Sequence, residues 1–228
     1  MTIITDILTL AKKDILLEFR KKETLFSMGI FSFASVLIFS TLNELVGISL
    51  NAKNTISAAY LWFIVVFMTM LGITSIFSRE IKKSSIYSLQ SLPIKPQAIF
   101  LGKLFYLTVI LAIVEIITLI FAIIFLRIDF KGDFLLFCLI LTIGTVDLAT
   151  AGCVVSFLTI YARSKTLAVP ILFIPLILPS TLIATQSTTD LVFYNDPVSV
   201  VENALLLLIH SVLIVVFALL IVEELISE

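Results

Sequence analysis

The stretch LLEFRKKETLFSMGIFSFASVLIF, Leu16 to Phe39, changes character once along its length. Before Thr24 it is crowded with charge, carrying Glu18, Arg20, Lys21, Lys22 and Glu23; after Thr24 no charged residue follows until Glu44. A bilayer core about 30 Å thick needs roughly 20 apolar residues per helix, and the run that begins at Leu25 supplies them. Upstream of the boundary, Ile4, Leu8, Ala11, Ile15 and Phe19 recur at helical spacing and share one face, while Lys12, Lys13, Glu18 and Lys21 or Lys22 lie mostly off it. A helix of this kind lies in the membrane interface, with its basic groups at anionic headgroups and its apolar stripe dipping into the acyl boundary. The stretch therefore predicts an amphipathic elbow helix over residues 1–24, a turn at Thr24, and a first membrane span.

The rest of the chain repeats the apolar half of that pattern. Of 228 residues, 60 % are hydrophobic and 14 % charged, with a mean hydropathy of +1.20, whereas soluble domains run to about 45–50 % apolar and about 25 % charged. Six apolar segments are long enough to span: Leu25 to Val46, Ser57 to Phe77, Ile99 to Leu126, Phe134 to Ile160, Leu167 to Ala184 and Val201 to Val222. They are continuous rather than alternating, which argues for helices against a closed β-barrel. The fold class expected is an all-α integral membrane protein, with the elbow over 1–24 and a six-span domain over 25–228. The charged start precedes an apolar run too long for a signal peptide core of about 7–15 residues, so no cleaved signal is expected.

Loop charge orients the spans. One side of an alternating layout collects twelve of the fifteen Lys and Arg, and the other only Lys53, Arg127 and Lys131. The positive-inside rule then puts both termini in the cytoplasm and the chain in the cytoplasmic membrane. Most of these cations need no partner beyond lipid, and none points to nucleic acid. The cytoplasmic link between spans 2 and 3, SREIKKSSIYSLQSLPIKPQA (Ser78 to Ala98), reads as a folded segment. Ile81, Ser85, Leu89 and Leu92 recur at helical spacing, and Pro93 and Pro96 stop the helix before the next span. Pro170, Pro175 and Pro179 predict a kinked or partly re-entrant fifth span, followed by an external link TQSTTDLVFYNDP.

Enzymatic motifs are missing. Gly102-Lys103 lacks the preceding glycine of a phosphate-binding loop, Cys138 and Cys153 fit neither redox nor zinc spacing, and there is one histidine, His210. No catalytic residue, resident metal or firmly bound cofactor is expected. Glu115 and Asp147 fall deep within spans, where an ionisable group is costly enough to mark a functional position; the plainer reading is a protonated carboxyl filling a polar gap between helices. His210 is read first as an interhelical hydrogen-bonder, with haem ligation or proton carriage as the sharper alternative. Together these three form a candidate intramembrane polar site. Thr145, Ala149, Cys153 and Ser156 put small residues on one face, predicting close helix packing.

The elbow, the folded link and six spans resemble the ABC-2 (type V) exporter permeases, whose equivalent link sits on a separate ATPase subunit. Arg79, Glu80, Lys82, Leu89, Leu92, Pro93, Gly102 and Lys103 carry that likeness. More narrowly, Leu16, Leu17, Glu18, Arg20, Lys22, Glu23, Phe31 and Phe39 resemble the N-terminal signature of the CcmB family, haem exporter protein B of cytochrome c maturation. The resemblance covers essentially the whole chain. It implies a CcmA-like ATPase partner that binds ATP, CcmC-like and CcmD-like membrane partners, a CcmE-like haem chaperone, haem as a handled or transported ligand, and pairing of the permease as a homodimer. It also implies coupling through Glu80, Lys82, Lys83, Leu89 and Leu92. Two other functions share the coarse features: an ABC-2 permease for a lipid or drug, and a membrane scaffold through which nothing passes.

Overall fold

The computed structural model describes residues 3–45, 50–76, 95–126, 132–159, 165–191 and 197–227. Among them the regular elements are all helices: α1 (Ile3–Lys21), α2 (Glu23–Leu45), α3 (Leu50–Ile76), α4 (Pro96–Leu126), α5 (Phe134–Leu158), α6 (Lys165–Thr189) and α7 (Pro197–Ser227). Six of them, α2 to α7, are long and apolar enough to cross a membrane. The protein is an all-α integral membrane protein. The segment expected to couple to an ATPase, with Glu80, Lys82, Lys83, Leu89 and Leu92, lies outside the described residues.

A single residue separates α1 from α2. Lys22, not Thr24, makes the turn: its φ is 56°, its N–H donates to the Glu18 carbonyl at 2.6 Å, and its own carbonyl accepts from the Phe26 N–H at 2.9 Å. One residue thus closes the first helix and opens the second. It does so in the left-handed region, which costs a side-chain-bearing residue roughly 1–2 kcal/mol.

Beyond that turn, α2 runs alongside α4. The Ser32 hydroxyl meets that of Thr118 at 2.7 Å, and the Ser40 hydroxyl donates to the Phe125 carbonyl at 2.8 Å, so eight residues of α2 advance beside seven of α4. The two helices are close to parallel. At 31 residues, α4 is about 46 Å long, far more than the bilayer core of about 30 Å. Its first turns therefore project past the start of α2, where α1 packs on them. Pro96 is the first residue of α4, a position where its missing N–H has no helical partner to lose.

The helix at the centre is α5, which touches α3, α4, α6 and α7. Its small residues make that possible. Thr145, Ala149, Cys153 and Ser156 are all buried, as their spacing predicts. Two glycines missing from that pattern matter as much: a Cβ on Gly144 would stand 2.2 Å from the ring of Trp62 on α3, and one on Gly152 would stand 3.0 Å from Ile73. Trp62 is fully buried, and its indole N–H reaches across to the Thr188 hydroxyl on α6 at 2.9 Å. Helix α5 starts at a cap, where the Asp133 carboxylate accepts from the Leu135 N–H at 2.8 Å.

The fifth span is not re-entrant. With Pro170, Pro175 and Pro179 inside it, α6 still runs unbroken from Lys165 to Thr189. It also extends through the first residues of the expected external link. Thr185, Ser187, Thr188 and Thr189 fold their hydroxyls back on their own helix, each onto the carbonyl four residues earlier. Polar composition alone makes that stretch look like a loop, but the hydroxyls find acceptors on their own helix, which satisfies them without ending it.

Gly144→Ala should lower the thermal stability of the solubilised protein by about 1–3 kcal/mol, the range for overpacking a filled site. Adding Trp62→Leu should recover part of the loss. A melt of Gly144→Ala equal to wild type would show that Trp62 moves aside freely.

Candidate functional site

Two groups of buried polar side chains stand out. The first joins the elbow to α4. On α1 the residues turned into the protein are Ala11, Asp14 and Glu18, so its carboxylates make the contact while Ile4, Leu8 and Phe19 stay exposed. Asp14 Oδ2 lies 2.8 Å from Lys103 Nζ, with both side chains under a tenth exposed, and Lys103 also donates to the Ile76 carbonyl at 3.2 Å. The Asp14 partner Lys13 sits at 3.2 Å but half in the open, where an ion pair contributes little. Where α1 crosses, Gly102 gives it room: a Cβ there would meet Leu10 at 3.0 Å.

Glu18 is completely buried and serves three helices. Its Oε1 accepts from the Thr24 N–H at 2.9 Å and the Leu25 N–H at 3.3 Å. Its Oε2 accepts from the Thr24 hydroxyl at 3.1 Å and from the Tyr106 hydroxyl on α4 at 3.2 Å. The first-turn donors of α2, which no helical carbonyl can reach, are thus met by a carboxylate at the positive end of the helix dipole. Arg20 and Lys22, the other elbow residues singled out in the sequence, are exposed.

The second group sits mid-span. Glu115 lies twelve residues past Lys103, about 18 Å further along α4, and Asp147 lies near the middle of the 25-residue α5. The structure splits the candidate intramembrane site in two. Asp147, fully buried, meets His210 Nδ1 of α7 at 2.8 Å and accepts from the Ser211 hydroxyl at 3.0 Å. Glu115 instead hydrogen-bonds to Thr145 of α5, whose hydroxyl also reaches the Leu141 carbonyl at 2.7 Å. Thr145 and Asp147 are two residues apart and so point about 200° apart around α5, which sends the two carboxyls to different neighbours. Glu115 lines a cavity of about 670 Å³ between α3, α4 and α5. Among the described residues no group of His, Cys, Asp and Glu is arranged to hold a metal ion.

The elbow docked on α4, the small-residue α5 and the six spans are the frame in which family membership can be judged. The family described as CcmB protein matches residues 5–222, nearly the full chain. The chain belongs to the CcmB family. No curated protein matches it with significance. CcmB proteins are membrane permease subunits of the haem-exporter, cytochrome c maturation ABC system, not enzymes in themselves, and this chain is accordingly a multi-pass membrane subunit of such a system.

Within this CcmB protein, the residue types that matter at the elbow were visible, but their partners were not. Asp14 and Tyr106 carry no motif, and Lys103 stands out only as a cation on the basic side and as part of the exporter-permease likeness, with no partner indicated. The signal available is the placement of Lys103 directly after Gly102 near the start of a span, the place where a helix can approach. Similarly, Thr145 reads as a small packing residue and Ser211 carries no signal, yet they are partners of the two deep carboxyls.

Because removing one member of a buried pair strands the other, Asp14→Ala or Lys103→Ala should destabilise this protein by about 3–5 kcal/mol, while Asp14→Leu with Lys103→Met should come close to wild type. Thermal melts of the four proteins test this; equal losses for single and double variants would count against a coupled pair. At the turn, Lys22→Gly should keep or raise stability, and Lys22→Val should lower it by about 1–2 kcal/mol.

Proposed function

We propose that this CcmB protein couples ATP hydrolysis in a separate CcmA-like ATPase to cytochrome c maturation, either by exporting haem or by driving release of a haem-loaded CcmE-like chaperone. It works as a homodimer in the cytoplasmic membrane, with both termini in the cytoplasm, alongside CcmC-like and CcmD-like proteins. Haem is a handled substrate in this reading, and ATP belongs to the partner subunit. The elbow lies in the inner interface, its exposed Ile4, Leu8 and Phe19 in lipid.

The observation that supports the reading is the clamp at the inner end of α4. The link from Ser78 to Ala98 leads directly into that helix, and the first turns of α4 are held to α1 through Asp14–Lys103 and Glu18–Tyr106. A displacement of the link therefore reaches the elbow and two spans together. Lys82 and Lys83 are positioned in the sequence to pair with acids of an ATPase cleft, and Leu89 and Leu92 to anchor in it, as a helix laid in a groove.

Leu89→Asp should abolish stimulation of the ATPase by this subunit while leaving the two proteins able to co-purify in part. Unchanged stimulation would refute the coupling role of the link. Deletion of the gene in its native host should stop c-type cytochrome formation, and normal assembly would defeat the functional reading as a whole.

The divergence of the two deep carboxyls favours a second reading, a scaffold through which nothing passes, because among the described residues Glu115 and Asp147 share no hydrogen-bond partner across α5. On that reading, Glu115→Gln and Asp147→Asn leave activity intact. Loss of activity with normal assembly argues for a transport role.

A further inference from the structure

A groove runs down the outer face of α2 from the turn that joins it to the elbow. Phe26, Ile30 and Phe33 are exposed along it, as is Ile117 on α4, and with Phe121 they line a space of about 410 Å³. At its far end Phe33 packs edge-on against Phe121, with ring centroids 5.1 Å apart. Gly29 leaves its floor open, since a Cβ added there would meet nothing within 4 Å. Lys22 stands at the other end. From Lys22 to Phe33 the groove follows eleven residues of chain, about 16 Å at the helical rise. That length is one leaflet of a bilayer core about 30 Å thick.

The cation at the head of the groove is available. Lys22 is exposed, and its ammonium has no hydrogen bond or ion pair among the described residues. It sits in the left-handed region at φ 56°, a conformation that glycine adopts without the steric cost. An outlier held at a cost points to a use for the side chain. The start of α2 cannot supply the same charge, because the Thr24 and Leu25 N–H groups already donate to Glu18. The exposed residues at the turn are Arg20, Lys21, Lys22 and Glu23, three cations against one acid.

We propose that this groove holds one acyl chain of an anionic phospholipid, in the leaflet on the elbow's side, with the lipid phosphate at the Lys22 ammonium. The apolar walls and the single-leaflet length fit a lipid tail, and a cation at one end only fits its head. A zwitterionic lipid brings its own cation to its phosphate, so an unpaired lysine favours a net negative headgroup. The site rests on α2 crossing the membrane and not on the coupling role proposed above.

The test uses the full chain in phosphatidylcholine nanodiscs containing a trace of one of two photoprobes, a phosphatidylglycerol or a phosphatidylcholine, each with a diazirine midway along the same acyl chain. The phosphatidylglycerol probe should label residues 25–33 and 117–121 about fivefold more than its twin, the effect of one cation near a headgroup. On α7, which carries no Lys or Arg, the two probes should label alike. Lys22→Arg should keep the preference and Lys22→Gly should remove it. Gly29→Leu, whose side chain enters open space, should cut labelling of the groove by both probes. Equal labelling of the groove by the two probes, the same preference on α7, or a preference that survives Lys22→Gly would each overturn the proposal. So would exclusion of both probes from these residues, the result expected if a second copy of the chain covers the groove. Lys22→Gly relieves the backbone strain at the turn, so its effect on labelling is not a loss of fold, and the comparison of the two probes on the unsubstituted protein needs no variant.

Discussion

Everything at the elbow end of this protein depends on one carboxylate. Glu18 belongs to the elbow, caps the first span and receives a hydroxyl from the third. Glu18 is fully buried and the donors around it are buried or partly so, which leaves those polar groups to be met by the protein rather than by water or headgroups. Glu18 meets several at once, and the geometry follows from it: the elbow has to cross α4 near Tyr106, and α2 has to begin within reach of the same side chain. The Asp14–Lys103 pair adds a second point to the same contact. Two points fix the crossing as well as the position.

The membrane architecture was legible because the bilayer imposes a length and a composition that sequence displays directly. The six apolar runs correspond to six helices, with ends displaced by a few residues. Where the reading slipped, the cause was a local interaction that composition conceals. The turn moved from Thr24 to Lys22 because a lysine took a backbone conformation usually left to glycine. The end of α6 moved outward to Thr189, because a run of hydroxyls that reads as a polar loop can be satisfied by carbonyls of its own helix. The prolines of α6 did not break it. The family likeness at Leu16 to Phe39 was readable as an ordered string of residues; the reason for its Glu18, a cap for the following helix, was not.

The deep polar residues were legible one by one and not as a set. Distance from the span ends puts Glu115 and Asp147 deep in their helices and His210 within the sixth span, and only packing decides which pairs form. Because α5 presents Thr145 and Asp147 to opposite sides, it carries one polar contact toward α4 and another toward α7. The helix is a partition with a polar group on each face, and its glycines let α3 press against it between the two. Close backbone approach of this kind is what holds helices together in lipid, where burial of apolar surface gives little preference for protein over hydrocarbon.

The chain contains a single tryptophan, and it is the residue wedged between Gly144 and Thr188. Its ring touches α5 and its N–H is held by α6. All tryptophan emission from this subunit therefore arises at the junction of three spans, in a dry site with one hydrogen bond to lose. Any rearrangement that slides α5 past α3, or withdraws α6, will change the colour and yield of that emission. The subunit thus carries a built-in optical reporter of its own transmembrane packing, readable without a label in the isolated protein.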